Sequence, residues 1–336
     1  MEQAEAEKTN VSVGARPERH ALYRARFHWG EAIIETAIRS SALIVIAALV
    51  LIFVFIGKEA LPIFYSAEVH EEVTISSLFL PQPLAGGHQT RFVWQPVSGK
   101  PRYSILPLAL GTLKVTIVAL LIGIPIALGA AIFTSEFAPN VVREIIKPVI
   151  ELLAGIPSVV LGFFGLMVLA TVFQTAFGLT FRLNAITAGT GLALAVIPII
   201  YTVAEDAFSA VPDSFRAGSI ALGANVWQTA WKVVMPAALP GVFAACVLGF
   251  GRAIGETMIV LISSGNAATM SLDPAQSFRS FSATIAAELG EVTRGSAHYH
   301  VLFFLGVLLF VITFLTNFAG HLYVKRVREK LQGKRK

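Results

Sequence analysis

Apolar runs long enough to cross a bilayer punctuate this chain, near residues 41–57, 105–133, 149–173, 185–204, 237–262 and 301–323. A helix needs about 20 consecutive apolar residues to span the hydrocarbon core, so the pattern predicts six transmembrane helices, the first of them short. Gly123, Pro125, Gly155, Pro157, Pro198 and Gly241 fall inside these runs. They would interrupt a helix in water but are tolerated where neighbouring helices re-satisfy the freed backbone groups. The predicted fold class is an all-α polytopic membrane protein: one membrane domain over 41–323, an N-terminal tail over 1–40 and a basic tail over 324–336. Residues 30–40 place Ile33, Ile34, Ala37 and Ile38 at helical spacing between charges. That pattern fits either a helix lying on the inner membrane face or a plain elbow into the first span.

Composition agrees with the pattern. The chain is 55% hydrophobic and only 14% charged, whereas a soluble domain carries about a quarter charged residues. A single cysteine, Cys246, excludes an intrachain disulfide framework and a cysteine zinc site. The first apolar run begins near Ser41, after a polar leader without a small-residue cleavage site, which predicts an uncleaved anchor. No internal repeat or low-complexity tract is evident. The net charge is +5, and half of the basic residues fall in the two tails; a basic tail abutting an apolar span points to the membrane surface and not to nucleic acid. With both termini inside, seventeen Lys and Arg lie on the cytoplasmic side and seven outside; the positive-inside rule therefore predicts cytoplasmic termini.

Catalytic signatures are missing. The sequence has no phosphate-cradling Gly-rich loop ending in Gly-Lys-Ser/Thr, no nucleophile elbow, no His-Glu-x-x-His and no cysteine–histidine cluster. The expectation is a chain that is not an enzyme and holds no metal or cofactor of its own. His298 and His300 read as a solvated surface pair.

The charges inside the spans carry more information. Arg252 and Glu256 stand four residues apart in the fifth run, so on a continuous helix they share a face and pair. Arg252 lies about 22 Å along that helix from Ala237, near the bilayer middle, where an isolated charge costs about 2.5–3.5 kcal/mol. Neither residue is expected to face lipid. Gly251 and Gly255 form a Gly-x-x-x-Gly pair beside them, expected to admit another helix closely. The ion pair is either a structural brace or part of a polar path. Elsewhere, Lys114 near the outer end of the second span is expected to snorkel, and Glu151 to be a solvated boundary residue. The loop 263–299, with Arg279 and Arg294, reads as solvated with a short helix over 282–288, or else as a surface that receives a partner or lines an outer vestibule.

Between the fourth and fifth spans lies AVPDSFRAGSIALGANVWQTAWKVVMPAALPG, residues 210–241. Asp213 or Ser214 is expected to cap one short helix, Gly223 to make the turn, Asn225 to cap a second helix and Pro236 to end it. Phe215, Ile220, Leu222, Trp227 and Trp231 are many apolar groups for a loop facing water alone. They either pack back on the chain's own helices or form a partner surface. Aligned on Gly223, Ala217-Gly218-Ser219, three residues, Gly223, nine residues and Val233-Val234-Met235-Pro236 resemble the cytoplasmic loop of ATP-binding-cassette importer permeases. Those permeases carry Glu-Ala-Ala, three residues, Gly, nine residues and Ile-x-Leu-Pro, so Ala217 stands where they have glutamate.

The stretches GKEALPIF (57–64), ILPLALGTLKVTIVALLIGIPIALGAAIFTSEFAP (105–139), KPVIELLAGIPSVVLGFFGL (147–166), GRAIGETM (251–258) and TIAAELGEVTRGSAHYHVLFFLG (284–306) resemble the permeases of phosphate-specific importers more narrowly. The long loop before the second span and the Glu-Leu-Gly-Glu ending before the sixth are similar to the C-type permease, the paired A-type being the nearest alternative. The resemblance implies a type I importer permease fold with a cytoplasmic coupling helix, in which Phe215, Ala217, Gly223, Trp227 and Pro236 meet the ATPase. It also implies Arg252 and Glu256 on the substrate path. Partners implied are an A-type permease, two ATPase subunits that hold ATP and Mg, and an extracellular or periplasmic phosphate-binding protein, all at a bacterial inner membrane. The rivals are a molybdate or sulfate importer and, from another class, a stand-alone ion-coupled transporter or channel; a membrane enzyme lacks any nucleophile or metal cluster.

Overall fold

The computed structural model describes residues 29–83 and 90–331; expectations for the tails that fall on residues 1–28 and 332–336 lie outside them. The chain divides into two compact units, residues 1–53 and 54–336. In the first, the described residues form the leading part of helix α1 (Trp29–Ala60), with Ile33, Ile34, Ile38, Leu43, Ile46 and Leu49 all exposed. Neither an elbow nor a separate surface helix occurs over 30–40. No proline interrupts residues 31–60, the Glu35–Arg39 pair braces the early turns, and the helix runs on unbroken.

In the second unit, short helices α2 (Pro62–Tyr65), α3 (Ala67–Glu72) and α4 (Ile75–Phe79) precede two antiparallel hairpins. Strand β1 (Gln82–Pro83) pairs with β2 (Thr90–Arg91), and β3 (Trp94–Gln95) with β4 (Arg102–Tyr103). The expected long outer loop is thus a folded lobe: Ile63, Val69, Leu78, Trp94 and Tyr103 close a core with Val301, Leu302 and Leu305. Next come α5 (Leu106–Ile132) with a π-helical end over Phe133–Phe137, α6 (Asn140–Ala154), and α7 (Ser158–Phe164) joined to α8 (Ala170–Phe177) by a π segment. Then follow α9 (Ala185–Ser209), α10 (Asp213–Ala221), α11 (Val226–Thr229), a π segment over Ala230–Val234, α12 (Met235–Ile254), α13 (Met258–Ser263), α14 (Phe281–Glu288) and α15 (Ala297–Leu331). The last helix carries through most of the region expected to be a basic tail.

Among the described residues, six helical stretches are long and apolar enough to cross a membrane: Ile33–Tyr65, Leu106–Phe137, Ser158–Phe177, Ala185–Ser209, Val226–Ile254 and Ala297–Val327. The third starts at Ser158 and not at 149. Pro157 holds an extended backbone and disfavours helix at Ile156, so α6 is cut off as a charged helix of its own, with Glu151 exposed on it. The fifth is displaced in the other direction. Pro236 does not end a helix: it sits in the first turn after the π segment, where the widened ladder accommodates its missing N–H, and helix continues to Ile254. There it stops, although the apolar run continues.

Small residues set the spacing of the bundle. An added Cβ at Gly189 of α9 would overlap Val118 of α5, one at Gly241 of α12 would overlap Ala207 of α9, and one at Gly249 would overlap Ile200 of α9. Gly320 of α15 meets Val247 of α12 in the same way. These contacts bring α5, α9 and α12 around a shared core that includes Val115, Leu192, Val196, Ile200, Tyr201 and Ala245. The expected Gly251–Gly255 pair is not the close approach. A Cβ on Gly251 would meet only the Asn317 side chain at 3.4 Å, and Gly255 lies beyond the helix end. The face that packs tightly is one step round, through Gly241 and Gly249.

At Gly111 of α5 a Cβ would collide with the Arg279 backbone carbonyl, which cannot swing away as a side chain can. Gly111→Ala is expected to destabilise the assembled protein by about 1–3 kcal/mol as overpacking. Gly129→Ala on the same helix, where a Cβ meets nothing, should be neutral or slightly stabilising. Paired thermal melts of the purified complex check the contrast.

Candidate functional site

The site that the sequence singles out lies where a helix breaks. The α12 ladder ends at Ile254, Gly255 to Thr257 are non-helical, and α13 resumes at Met258. Arg252 and Glu256 do pair, with Nη2 3.4 Å from Oε2, but not as two rungs of one helix. Arg252 occupies the last turn of α12 and Glu256 the break, so the count that set Arg252 half-way along a continuous span no longer applies. The pair is asymmetric: the Arg252 side chain is 50% exposed and that of Glu256 only 5%. Ser282 Oγ donates to the Glu256 carbonyl at 2.7 Å, tying the break to α14. Ser282 belongs to a buried set of hydroxyls in which Ser280 caps α14 through Ala283 N and Thr112 Oγ1 accepts from Phe281 N.

The segment between α9 and α12 is a helical hairpin. Helix α10 is preceded by Pro212 in an extended conformation, so Asp213 is its first residue and neither Asp213 nor Ser214 caps it. Gly223 takes φ +85° at the turn, a conformation that favours glycine. Asn225 caps α11 as expected: its Oδ1 accepts from Gln228 N at 2.8 Å while Gln228 Oε1 accepts from Asn225 N at 3.1 Å. Phe215, Ile220, Leu222, Trp227 and Trp231 are all substantially exposed, Leu222 at 91%. Trp227 does pack inward in part, its ring 5.7 Å from both Phe137 and Trp231. A depression of about 420 Å³ lies along the hairpin, lined by Phe215, Ser219, Leu222, Gly223, Gln228 and Lys232 among others. Ala217 is exposed on α10 and Pro236 on α12.

Around the hairpin stands a set of ion pairs that the sequence does not announce. Arg216 Nη2 and Nε donate to Glu136 Oε1 and Oε2 at 2.7 and 3.1 Å. The remaining donors of Arg216 reach the Phe208 carbonyl at 2.9 Å, the Val211 carbonyl at 2.5 Å and Asp213 Oδ1 at 3.2 Å. The hydrogen bond to Glu136 leads the causes that hold the guanidinium pKa above its ordinary value. Arg143 of α6 donates to the Thr134 and Ser135 carbonyls in the π end of α5, at 2.9 and 2.6 Å. Lys147 bonds Glu205 of α9 at 3.2 Å, which raises its pKa. Sequence reasoning counts Arg143, Lys147 and Arg216 only as surface charge. The available signal was Glu136, an acid at the edge of a span.

A second cluster lies at the other end of α5 and α9. Glu288, closing α14, receives Arg279 Nη2 at 2.7 Å and Trp94 Nε1 at 3.1 Å, and lies 2.9 Å from His298 Nε2. Burial alone would raise its carboxyl pKa, but these donors and the Arg279 charge outweigh burial and hold it below the ordinary range. His298 is therefore not solvated, and His300 is buried with Nδ1 donating to the Glu59 carbonyl at 2.7 Å. The loop 263–299 is likewise packed, with Phe278, Phe281 and Ala283 buried, although Arg294 is exposed. Lys114 does not snorkel. It is buried and donates to the Ser271 and Asp273 carbonyls at 3.2 and 3.0 Å, above the Phe278 ring. Among the described residues no three His, Cys, Asp or Glu side chains gather as a metal-binding group.

Residues 102–329 match the family described as binding-protein-dependent transport system inner membrane component, and the chain belongs to it. The chain is 37% identical to a probable ABC transporter permease protein, YqgH, of Bacillus subtilis (strain 168) over 83% of its own length and 85% of the relative's. It is 35% identical to the phosphate transport system permease protein PstC of Xylella fastidiosa (strain Temecula1) over 70% and 78%. In fold it resembles a chain of the bacterial alginate ABC transporter in complex with alginate pentasaccharide-bound periplasmic protein, with TM-score 0.56 and 14% identity over 89% of this chain and 97% of that one. The protein is thus a multi-pass inner-membrane transport subunit of the ABC type I fold and not an enzyme, and its family implies an ATPase and a substrate-binding protein as partners.

The Glu288 cluster generates a pH dependence. Its folded-state pKa is depressed, so its stabilisation is present above the ordinary carboxyl value, about 4.3, and is lost as pH falls through the folded-state value. Glu288→Gln is expected to cost about 3–5 kcal/mol at neutral pH by leaving Arg279 buried without its partner, and to flatten the acid limb of the melting temperature. Thermal melts of wild type and variant across a pH series check both.

Proposed function

We propose that this chain is one permease subunit of an ATP-driven, binding-protein-dependent phosphate importer and forms half of its translocation path. The family match and the phosphate transport permeases among its relatives support the reading. One observation in the structure carries it. At the helix break Arg252 is half exposed while its counter-charge, Glu256, is almost wholly buried, so the guanidinium has a face to offer an anion. Its planar donors suit the paired oxygens of phosphate. Glu256 aims the group and, by sharing its charge, keeps the hold on the anion loose enough for release. Irregular backbone within a membrane is tolerated where protein buries it or where it lines a water-filled cavity, which fits a break on a path.

The second half of the path is an A-type permease. ATP and Mg sit on two separate ATPase subunits, and a binding protein delivers phosphate from outside. Both termini are cytoplasmic, which puts the hairpin of α10 and α11 against the ATPase. Phe215 and Trp227 supply apolar contact there, Gly223 makes the turn, and Pro236 begins the helix that leads to Arg252. Ala217 replaces the glutamate of the loops it resembles, so docking relies on shape and apolar area.

Phosphate uptake by vesicles holding the complete importer, challenged with arsenate, sulfate and molybdate, tests the substrate; stronger competition by molybdate or sulfate than by arsenate overturns phosphate. Three variants test the path. Arg252→Gln combined with Glu256→Gln should assemble yet transport poorly, Arg252→Lys should be impaired because a point charge lacks the planar fork, and Glu256→Gln should lose turnover more than assembly. Near-normal uptake per assembled complex by the double variant would reduce the pair to a brace.

Orientation has its own test. A cysteine at Ser98 should label from outside in intact cells, and one at Asn225 only after permeabilisation, both positions being exposed. Outside labelling at Asn225 would reverse the topology.

A further inference from the structure

The hairpin is attached to the bundle both along the chain and across space. Along the chain, α10 follows the end of α9 after residues 210–212, and α11 runs through the π segment Ala230–Val234 into α12. Across space, Arg216 projects from α10 to Glu136 at the π-helical end of α5. We propose that the Arg216–Glu136 pair is the linkage that makes the hairpin and the end of α5 move as one body, so that displacement of the hairpin reaches the α5–α9 pair directly. The proposal rests on the hairpin being the surface that the ATPase moves, as in the proposed function.

Four observations carry it. The pair is bidentate, at 2.7 and 3.1 Å, and a two-point guanidinium–carboxylate contact resists rotation as well as separation. It is shielded, with Arg216 21% and Glu136 5% exposed, so water and salt weaken it little. Arg216 spends its other donors on the carbonyls of Phe208, at the end of α9, and of Val211; one side chain thus joins α10, α9 and α5. The far side of the joint is itself held, because Arg143 bonds the Thr134 and Ser135 carbonyls and Ser135 Oγ donates to Glu136 Oε1 at 3.0 Å. Trp227 against Phe137 adds an apolar contact between the same two pieces. Apart from the Arg216 bonds to the Phe208 and Val211 carbonyls, each of these contacts falls on the five-residue π segment Phe133–Phe137, and π segments recur at functional sites.

A brace needed only for folding and a linkage needed for transmission differ in one readout, substrate carried per ATP hydrolysed. In vesicles holding the complete importer, Glu136→Gln is expected to keep its ATPase partner and hydrolyse ATP while uptake per ATP falls about tenfold, within the usual range of coupling energies. Glu136→Asp, which keeps the charge, should recover part of the ratio. An unchanged ratio in Glu136→Gln overturns the proposal, even if total activity falls with the amount assembled.

A covalent replacement gives the second test. With Cys246→Ala as background, Glu136→Cys combined with Arg216→Cys removes both charges together and so leaves neither one buried alone. Uptake per ATP should be low in this protein and should rise when a short bifunctional thiol reagent joins the two cysteines. Cross-linking that fails to restore the ratio, or arrests transport, overturns the linkage. So does failure of every variant to assemble, which would assign the pair to folding. The unaltered importer separates this result from the proposed function: if it carries another anion and not phosphate, the substrate reading fails and the ratio is read with that anion.

Discussion

Where a helix is interrupted inside an apolar bundle, the backbone groups it frees must find partners within the protein, because no water is at hand to take them. Much of the polar chemistry of this chain answers that demand. The break after Ile254 hands the Glu256 carbonyl to Ser282 and its carboxylate to Arg252. The π end of α5 hands the Thr134 and Ser135 carbonyls to Arg143. The end of α9 hands the Phe208 carbonyl to Arg216. Irregular backbone and charged side chains therefore come together at the same places, and those places are the two ends of one tightly packed set of helices.

That set can be tightly packed because glycines on α9 and α12 let the helices approach without side chains between them. Close packing has a mechanical consequence: helices in such contact have discrete arrangements and do not deform smoothly. The polar joints at the ends determine which neighbours each helix carries with it. At the far end the lobe before α5 is joined to α14 through Trp94, Glu288 and Arg279, and Gly111 lets the Arg279 backbone lie against α5.

The number of spans was legible from hydropathy alone, because about 20 apolar residues in a row admit few alternatives. The turn at Gly223 and the cap at Asn225 were legible too, since each rests on local chemistry of one residue. What the sequence concealed depends on the neighbours in space. An apolar run to Ile262 gives no sign that the ladder stops at Ile254. Pro236 looks like a terminator until a π segment precedes it, and Gly251 and Gly255 satisfy a spacing while Gly241 and Gly249 face the helix. The same holds for charge. Lys114, Arg143, Lys147 and Arg216 look alike as basic residues near span ends, yet each proves to have particular carbonyl or carboxylate partners. A topology rule that counts charges does not use this, because it asks only for the side of the membrane and not for the partner.

The joints also bear on how one hairpin can act on two parts of the bundle. Through the chain it continues into α12, whose last turn holds Arg252; that route passes the π segment Ala230–Val234, where the helical ladder is widened. Through Arg216 it meets the end of α5 by a shielded, two-point ionic contact. On the proposed linkage, a push on the hairpin enters α12 along the chain and the end of α5 through the ionic tie. These entries lie on different helices, so any difference in how far each follows the hairpin shifts α12 relative to α5 and alters what the exposed face of Arg252 meets.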